Sequence, residues 1–201
     1  MSFFQDHWRQ LSVISILAFG LYVESVRFNY VLDDSILIVE NKFTQKGIKG
    51  IGDIFRYESF RGYFGEQKDL VEGGRYRPLT IATFALEKSI TGDKPSVSHL
   101  INVLFYIFTG ILLYRVLLFM FPRARSALSE SWFFSVPFVA TVLFIVHPLH
   151  IEVVGNVKGR DELFAFLGEI GGLYFTFKYL EQKKLKQLVY SFLCFFIGIL
   201  S

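Results

Sequence analysis

The sequence predicts an all-α polytopic membrane protein with about four to five transmembrane helices and a long outer first loop bearing short amphipathic helices. Composition is the first reason, because 52% of the 201 residues are hydrophobic and 19% are charged, whereas soluble domains carry about 25% charged residues. The 24 phenylalanines demand more burial than a disordered chain could provide. The second reason is that charges are nearly absent from several long apolar stretches.

Five apolar stretches are the predicted spans, with the outer loop at 31–98 between the first two: about 10–30, 99–121, 132–149, 161–180 and 187–201. The stretch from Leu100 to Phe121 is apolar on every side apart from Arg115, whereas a helix of a soluble bundle would show a polar face. The last stretch is shorter than the roughly 20 residues that a span needs. We therefore expect 1–201 to be a single membrane domain and the N-terminal part of a longer protein.

Basic residues between the stretches predict the orientation. The loop 122–131 carries two arginines against one glutamate, and the segment 178–186 carries four lysines against one glutamate. The positive-inside rule places both segments and the N-terminus in the cytoplasm. The segments 31–98 and 147–162 then share the other side and could build one site. We expect an integral, multi-pass protein of a bacterial plasma membrane or an endoplasmic reticulum membrane.

The outer loop contains two stretches with helical spacing of apolar residues. One is marked by Ile51 and Ile54, and the other by Leu79, Ala82 and Leu86. Such short amphipathic pieces could lie on the membrane surface and roof a cavity, or they could simply pack on the spans. The pattern leaves both alternatives open.

Two adjacent carboxylates, Asp33 and Asp34, follow the first span. Like charges this close raise the pKa of one partner, which suits a proton acceptor that works near neutral pH. Oxygen ligands of this kind could also hold a divalent cation, the one cofactor that these residues would allow. The alternative is a solvated loop start with a helix cap. A single cysteine excludes a disulfide scaffold and a cysteine-based zinc site.

The segment 147–164 gathers charged and imidazole groups that a simple turn between two spans does not need. It holds His147, His150, Glu152 and Arg160, and arginine and histidine together can stabilise a developing phosphate charge. The alternative is that Asp161 and Glu162 cap the next helix, that Lys158 and Arg160 contact lipid headgroups, and that the two histidines are interfacial residues. The spacing of the histidines does not match a zinc site, and no metal site is predicted here. Arg77 precedes a proline, so its extended backbone could let its guanidinium reach an anion.

Taken in order, these segments resemble the membrane part of the transmembrane and tetratricopeptide-repeat O-mannosyltransferase family, over about residues 10 to 180. That family belongs to the polytopic GT-C glycosyltransferases. The resemblance is carried by VLDD at 31–34, YRPL at 76–79, HLINVL at 99–104, HPLHIE at 147–152 and GRDEL at 159–163. No tetratricopeptide repeat is visible within the 201 residues.

The resemblance implies a GT-C-like N-terminal module that moves a sugar, mannose in the family, from a polyprenyl-phosphate donor to a protein hydroxyl on the outer or lumenal side. Asp34 or Asp33 would take the proton from the acceptor hydroxyl. A single displacement would then invert the anomeric carbon. Arg77, Arg160 and His147 are the candidates to face the leaving lipid phosphate, and His150 and Glu152 complete the predicted substrate-binding set. The implied partners are the donor lipid, the acceptor protein and membrane lipid.

Two other functions compete with a glycosyltransferase. A transporter is suggested by Glu24, Arg27 and Glu169, which lie in or near spans. A transport path needs ionisable residues at mid-membrane, whereas most of those in this chain lie in the outer segments. A non-catalytic membrane scaffold is the third alternative. The net charge of +3 is too small to indicate a nucleic-acid partner.

Overall fold

The computed structural model describes residues 3–31, 33–65, 76–122 and 132–201, and within these ranges the chain is helical without a strand. The all-α prediction is therefore confirmed for this part of the chain. The α-helices are α1 (Phe3–Asp6), α2 (Trp8–Tyr22), α3 (Lys42–Gln45), α4 (Ile51–Arg56), α5 (Arg61–Phe64), α6 (Pro78–Thr91), α7 (Pro95–Met120), α8 (Val136–Ile145), α9 (His150–Gly155), α10 (Arg160–Gln182) and α11 (Leu185–Ile199). Short 3₁₀ or π-helical turns connect them at Val23–Arg27, Ser35–Val39, Gly47–Gly50, Trp132–Phe134 and Val157–Gly159.

Helices α2 and α7 run antiparallel along their length. Tyr22 at the end of α2 packs against Tyr106 in the first half of α7, with ring centroids 5.0 Å apart. His7, just before α2, hydrogen-bonds through Nδ1 to the Tyr114 hydroxyl at 3.0 Å, near the end of α7. The N-terminus of the chain therefore lies at the end of the bundle where α7 finishes.

The main apolar core lies where α2, α7 and α8 meet. Ile14, Val103 and Ile145 are fully buried there, one from each helix. Gly110 permits this close approach, because a Cβ at that position would lie 3.0 Å from Ile145 and 3.2 Å from Ile14. Contacts of this kind between three apolar helices stabilise the bundle whether its outside meets water or lipid.

Helix α10 runs parallel to α7, and α11 returns antiparallel to α10. The Arg160 side chain bonds to Asn102 near the starts of α10 and α7, and Phe119 stacks on Phe177 near their ends. The Ser191 hydroxyl of α11 donates to the Gly172 carbonyl of α10 at 2.9 Å, which draws the two backbones close together.

Two helices are long and apolar enough to cross a membrane, by length and composition, among the residues that the structure describes. They are Trp8–Arg27, which includes the 3₁₀ turn after α2, and Pro95–Met120, and they coincide with the first two predicted spans. The predicted span 132–149 is instead broken, since α8 has 10 residues and ends before the turn at His147 and Pro148. A helix that short cannot cross a bilayer alone.

The fourth and fifth predicted spans are helical but do not pass the same test. Helix α10 has 23 residues and carries several charges, including an exposed Glu169, and α11 has 15 residues. The loop arginines Arg123 and Arg125, on which the predicted orientation partly depends, lie outside the described residues. The cytoplasmic N-terminus therefore stays a prediction.

The predicted outer loop folds into a helical cap, here defined as residues 33–65 and 76–94. A second apolar core holds it together, in which Leu37, Ile54 and Phe84 are buried. Val157, from the segment between α9 and α10, is fully buried in the same core. The two segments predicted to face one side therefore lie at the same end of the bundle. The helical pieces pack on the bundle end where α7 and α10 begin, which we call the cap end.

Candidate functional site

Asp34 joins the cap to the turn before α10. Its side chain is fully buried, and its Oδ1 accepts a hydrogen bond from the backbone N–H of Lys158 at 2.8 Å. Its Oδ2 accepts from the backbone N–H of Val31 at 3.1 Å. Burial raises the pKa of Asp34 above its usual range, and the two backbone donors oppose that rise only in part. Oδ1 therefore connects Asp34 to the distant turn before α10, whereas Oδ2 bonds within its own segment.

Asp33 has a different environment from its neighbour. Its side chain is 51% exposed, and its Oδ2 lies 3.1 Å from Nζ of Lys158, whose side chain is 20% exposed. The same lysine thus meets Asp34 through its backbone and Asp33 through its ammonium group. Of the two predicted catalytic carboxylates, Asp33 is therefore the one exposed to solvent.

A tight turn brings Lys158 and Arg160 beneath the cap. Gly159 makes this turn possible, because a Cβ there would lie 2.2 Å from the carbonyl oxygen of Val153. Asn156 accepts a hydrogen bond from the Lys158 N–H at 3.2 Å and so caps the turn. Helix α10 starts directly afterwards, at Arg160.

Arg160 lies at the centre of a buried polar network. Its Nε donates to Asn102 at 2.8 Å, one Nη donates to the Thr83 hydroxyl at 2.9 Å, and the other donates to the Ser98 carbonyl at 3.0 Å. It also forms an ion pair with Glu87 of α6. Its side chain is fully buried, so this guanidinium connects α6, α7 and α10 and has no surface facing solvent.

Arg77 lies at the mouth of a narrow cleft under the cap. Its backbone is non-helical ahead of Pro78, as predicted, and its guanidinium forms an ion pair with Asp161. Its side chain is 36% exposed. The cleft is also lined by Lys158 and Ser59, and its enclosed part, about 10 Å³, has room for about one water molecule. Arg77 and Lys158 thus line this cleft with partly exposed side chains.

The structure does not bring His147, His150 and Glu152 to this cleft. His150 hydrogen-bonds through Nδ1 to the Tyr106 hydroxyl at 3.0 Å and faces a separate cavity of about 220 Å³ on the other side of the start of α10. The His147 ring is exposed, with its centroid 5.8 Å from that of His150. Glu152 is exposed on α9. The predicted substrate-binding set therefore divides into a cleft group and a cavity group.

The sequence interpretation missed several partners that decide what Arg160 and Asp33 do. Lys158 is not among the predicted site residues, although it stands two residues before Arg160. Asn102 lies in the HLINVL motif, so the sequence could have indicated its importance. Nothing in the sequence indicated a role for Glu87, because an acidic residue on an amphipathic helix is ordinarily solvated.

The described residues contain no group of three or more His, Cys, Asp or Glu side chains that could hold a metal ion. Both oxygens of Asp34 accept backbone hydrogen bonds, and Asp33 pairs with a lysine. The divalent cation considered for this carboxylate pair stays a prediction.

Comparison with known proteins connects the chain to one group of enzymes. It is 26% identical over 180 residues to protein O-mannosyl-transferase TMTC3 of Mus musculus, covering 90% of this chain and 17% of that protein. It is 29% identical over 165 residues to TMTC4 of Mus musculus, covering 80% of this chain and 22% of that protein. With TMTC1 of Mus musculus it shares 30% over 148 residues, 73% of this chain and 14% of that protein.

No family model matches the chain, and no solved structure matches it. The chain spans less than a quarter of the length of these curated relatives. The relatives are all named protein O-mannosyl-transferases, as the motifs at 31–34, 76–79 and 147–152 predicted. The chain is therefore homologous to one part of the protein O-mannosyl-transferases, and the resemblance inferred from its motifs is confirmed.

Proposed function

We propose that this chain is part of a membrane glycosyltransferase that transfers mannose from a polyprenyl-phosphate donor to a hydroxyl group of a protein. The names of its relatives support the reaction class. The structural observation that carries the proposal is a half-exposed carboxylate, Asp33, held 3.1 Å from the ammonium group of Lys158, a residue that lines the cleft together with Arg77. A proton acceptor and a phosphate-binding cation are the two groups that this transfer needs at one place.

In this proposal Asp33 is the catalytic base. Its exposed oxygen would take the proton as the acceptor hydroxyl attacks the anomeric carbon, and the bond from that carbon to the lipid phosphate would break in the same step. Asp34 is a positioning residue, because its Oδ1 holds the turn that presents Lys158. The sequence left the choice between the two carboxylates open, and the greater exposure of Asp33 supports its assignment as the base.

The leaving phosphate would develop negative charge at the cleft mouth. Lys158 and Arg77 are the partly exposed cations there, and a charge-assisted hydrogen bond from either would stabilise it. Arg160 contributes indirectly, because its fully buried guanidinium fixes the start of α10 beside this mouth.

The cavity group of residues fits the lipid part of the donor. His150 and Tyr106 supply the polar side of the 220 Å³ cavity, while Phe144 and Phe166 supply apolar walls. Exposed His147 and Glu152 would lie at the rim. The cap end would face the outer or lumenal side, in line with the basic residues predicted at the other end.

No described contact favours the transporter alternative. Glu24 and Arg27 pair with each other at 3.0 Å, and both side chains are largely exposed. Glu169 is also exposed on α10 and lines none of the cavities described above.

The test is mannose transfer from a polyprenyl-phosphate donor by the full-length protein carrying Asp33→Asn. We expect transfer to fall by about 10²-fold or more while donor binding persists, because the base is lost and the Lys158 cation is retained. Asp53→Asn is the matched control, since Asp53 is a cap carboxylate that pairs with a different lysine, Lys46. Transfer at the wild-type rate by Asp33→Asn would remove the assignment.

A further inference from the structure

A second pocket lies at the end of the bundle opposite the cap, among α1, α7 and α10. It has a volume of about 200 Å³ and is lined by Phe3, Asp6, His7, Arg115, Tyr174 and Lys178, with apolar residues of α7 completing the wall. We call it the Arg115 pocket. None of these residues takes part in the site described above.

The pocket combines two cations with aromatic walls. The Arg115 guanidinium lies over the rings of Phe3 and Tyr174, at 4.4 Å and 4.7 Å from their centroids. The Lys178 ammonium lies 5.1 Å from the same Tyr174 ring. Tyr174 thus brings both cations to one wall of the cavity. Arrangements of this kind keep a cation partly desolvated and strengthen its attraction to an anion.

The charge of the pocket is positive overall. Arg115 and Lys178 contribute two positive charges and Asp6 contributes one negative charge, while burial lowers the pKa of His7 and keeps its ring neutral at pH 7. An incoming monoanion would therefore be attracted. The aromatic and aliphatic walls favour an anion that also carries an apolar part.

The position of the pocket matches the boundary of a membrane. Arg115 lies five residues before the end of α7, which is long and apolar enough to span a bilayer. From Ser98 at the cap end to Leu118 in this pocket, α7 rises about 30 Å, the thickness of a hydrocarbon core. The pocket and the cap therefore lie at opposite surfaces of the layer that α7 would cross.

We propose that the Arg115 pocket binds the phosphate headgroup of an anionic membrane lipid, with Arg115 and Lys178 on the phosphate and the aromatic rings against the upper acyl chains. Basic pockets between membrane helices are known to bind anionic lipid headgroups. The inference rests on the pocket and on the membrane-crossing length of α7, and it holds whether or not the opposite end transfers a sugar.

The experiment measures lipid retention by the full-length protein in detergent, by native mass spectrometry with added phosphatidylglycerol or phosphatidylcholine. We expect selective retention of phosphatidylglycerol by the wild type. Arg115→Gln and Lys178→Gln should each weaken it about fivefold, and the double variant about 25-fold. The matched control is Arg9→Gln with Lys184→Gln, which removes two exposed charges near the same end of the bundle but outside the pocket.

Three results would overturn the proposal. One is equal retention of the two lipids by the wild type, and another is an equal loss in the pocket and control double variants. The third is displacement of phosphatidylglycerol by millimolar inorganic phosphate, which would identify a site for free anions. If the variants fail to fold, a photoactivatable phosphatidylglycerol still tests the wild type, and crosslinks must fall on the peptides that contain Phe3, Arg115 or Tyr174.

Discussion

The buried ion pair between Arg160 and Glu87 makes the sharpest stability prediction. Arg160→Met keeps most of the side-chain volume and removes the guanidinium, leaving Glu87 as a carboxylate whose side chain is only 13% exposed. Asn102 and the Ser98 carbonyl lose their donors in the same step. Breaking one partner of a buried pair costs about 3–5 kcal/mol, and we expect a value near 3 kcal/mol because Glu87 keeps some contact with solvent.

The double variant Arg160→Met with Glu87→Gln separates the ion pair from the rest of the network. Removing both charges leaves no unpaired buried ion, so we expect the double variant to lose about 1–2 kcal/mol less than Arg160→Met alone. The assay is denaturant unfolding of the detergent-solubilised chain, followed by far-UV circular dichroism. A loss below about 1 kcal/mol for Arg160→Met, or strictly additive effects of the two changes, would refute the role given to this guanidinium.

Three further predictions follow from close contacts and charges described above. Gly110→Ala should destabilise the fold by about 1–3 kcal/mol and so lower the melting temperature, because its Cβ would lie 3.0 Å from Ile145. Gly20→Ala in α2 should raise the melting temperature, because no atom lies within 4 Å of its Cβ position. Burial raises the pKa of Asp34 in the folded state, so above pH 3.8 the folded state binds more protons than the unfolded state. The free energy of unfolding of the wild type should therefore fall, relative to that of Asp34→Asn, as pH rises from 3.8 through the raised pKa. Lys158→Ala should lower kcat/KM for the lipid-phosphate donor about tenfold, whereas replacement of the exposed cap lysine Lys49 by alanine should leave kcat/KM unchanged.

Each of these predictions has a contrary result. Equal melting temperatures for the two glycine variants would contradict the packing of α7 against α2 and α8. A stability difference for Asp34→Asn that does not vary with pH would show that this carboxylate titrates alike in both states. An unchanged kcat/KM for Lys158→Ala would remove this lysine from the phosphate contact proposed for it.

The sequence predicted the features that depend on local pattern. Apolar stretches predicted α2 and α7, and the proline after Arg77 predicted its non-helical backbone. The number of apolar spans and the positions of the basic loops predicted that the segments 31–98 and 147–162 lie on the same side. These predictions hold because hydrophobic periodicity and proline geometry act over a few residues.

The features that depend on distant partners could not be predicted in the same way. Asp34 meets Lys158 across 124 residues, and Arg160 meets Glu87 across 73, so no window of sequence contains both partners. The exposure that distinguishes Asp33 from Asp34 arises only when the cap packs on the bundle. The break between α8 and α9 was visible as Pro148, but apolar composition alone extended the predicted span through it.

The hydrogen bond between the Asp34 carboxylate and the Lys158 main-chain amide does not depend on the side chain at position 158. The donor is a peptide group, so any residue except proline at position 158 retains the tie between the two segments. The lysine side chain can therefore be replaced by a shorter, longer or neutral one without breaking this main-chain hydrogen bond. In the proposed transferase, a replacement at position 158 is therefore expected to change contacts to the lipid phosphate and to keep this hydrogen bond, whereas a replacement of Asp34 by an apolar residue would remove it.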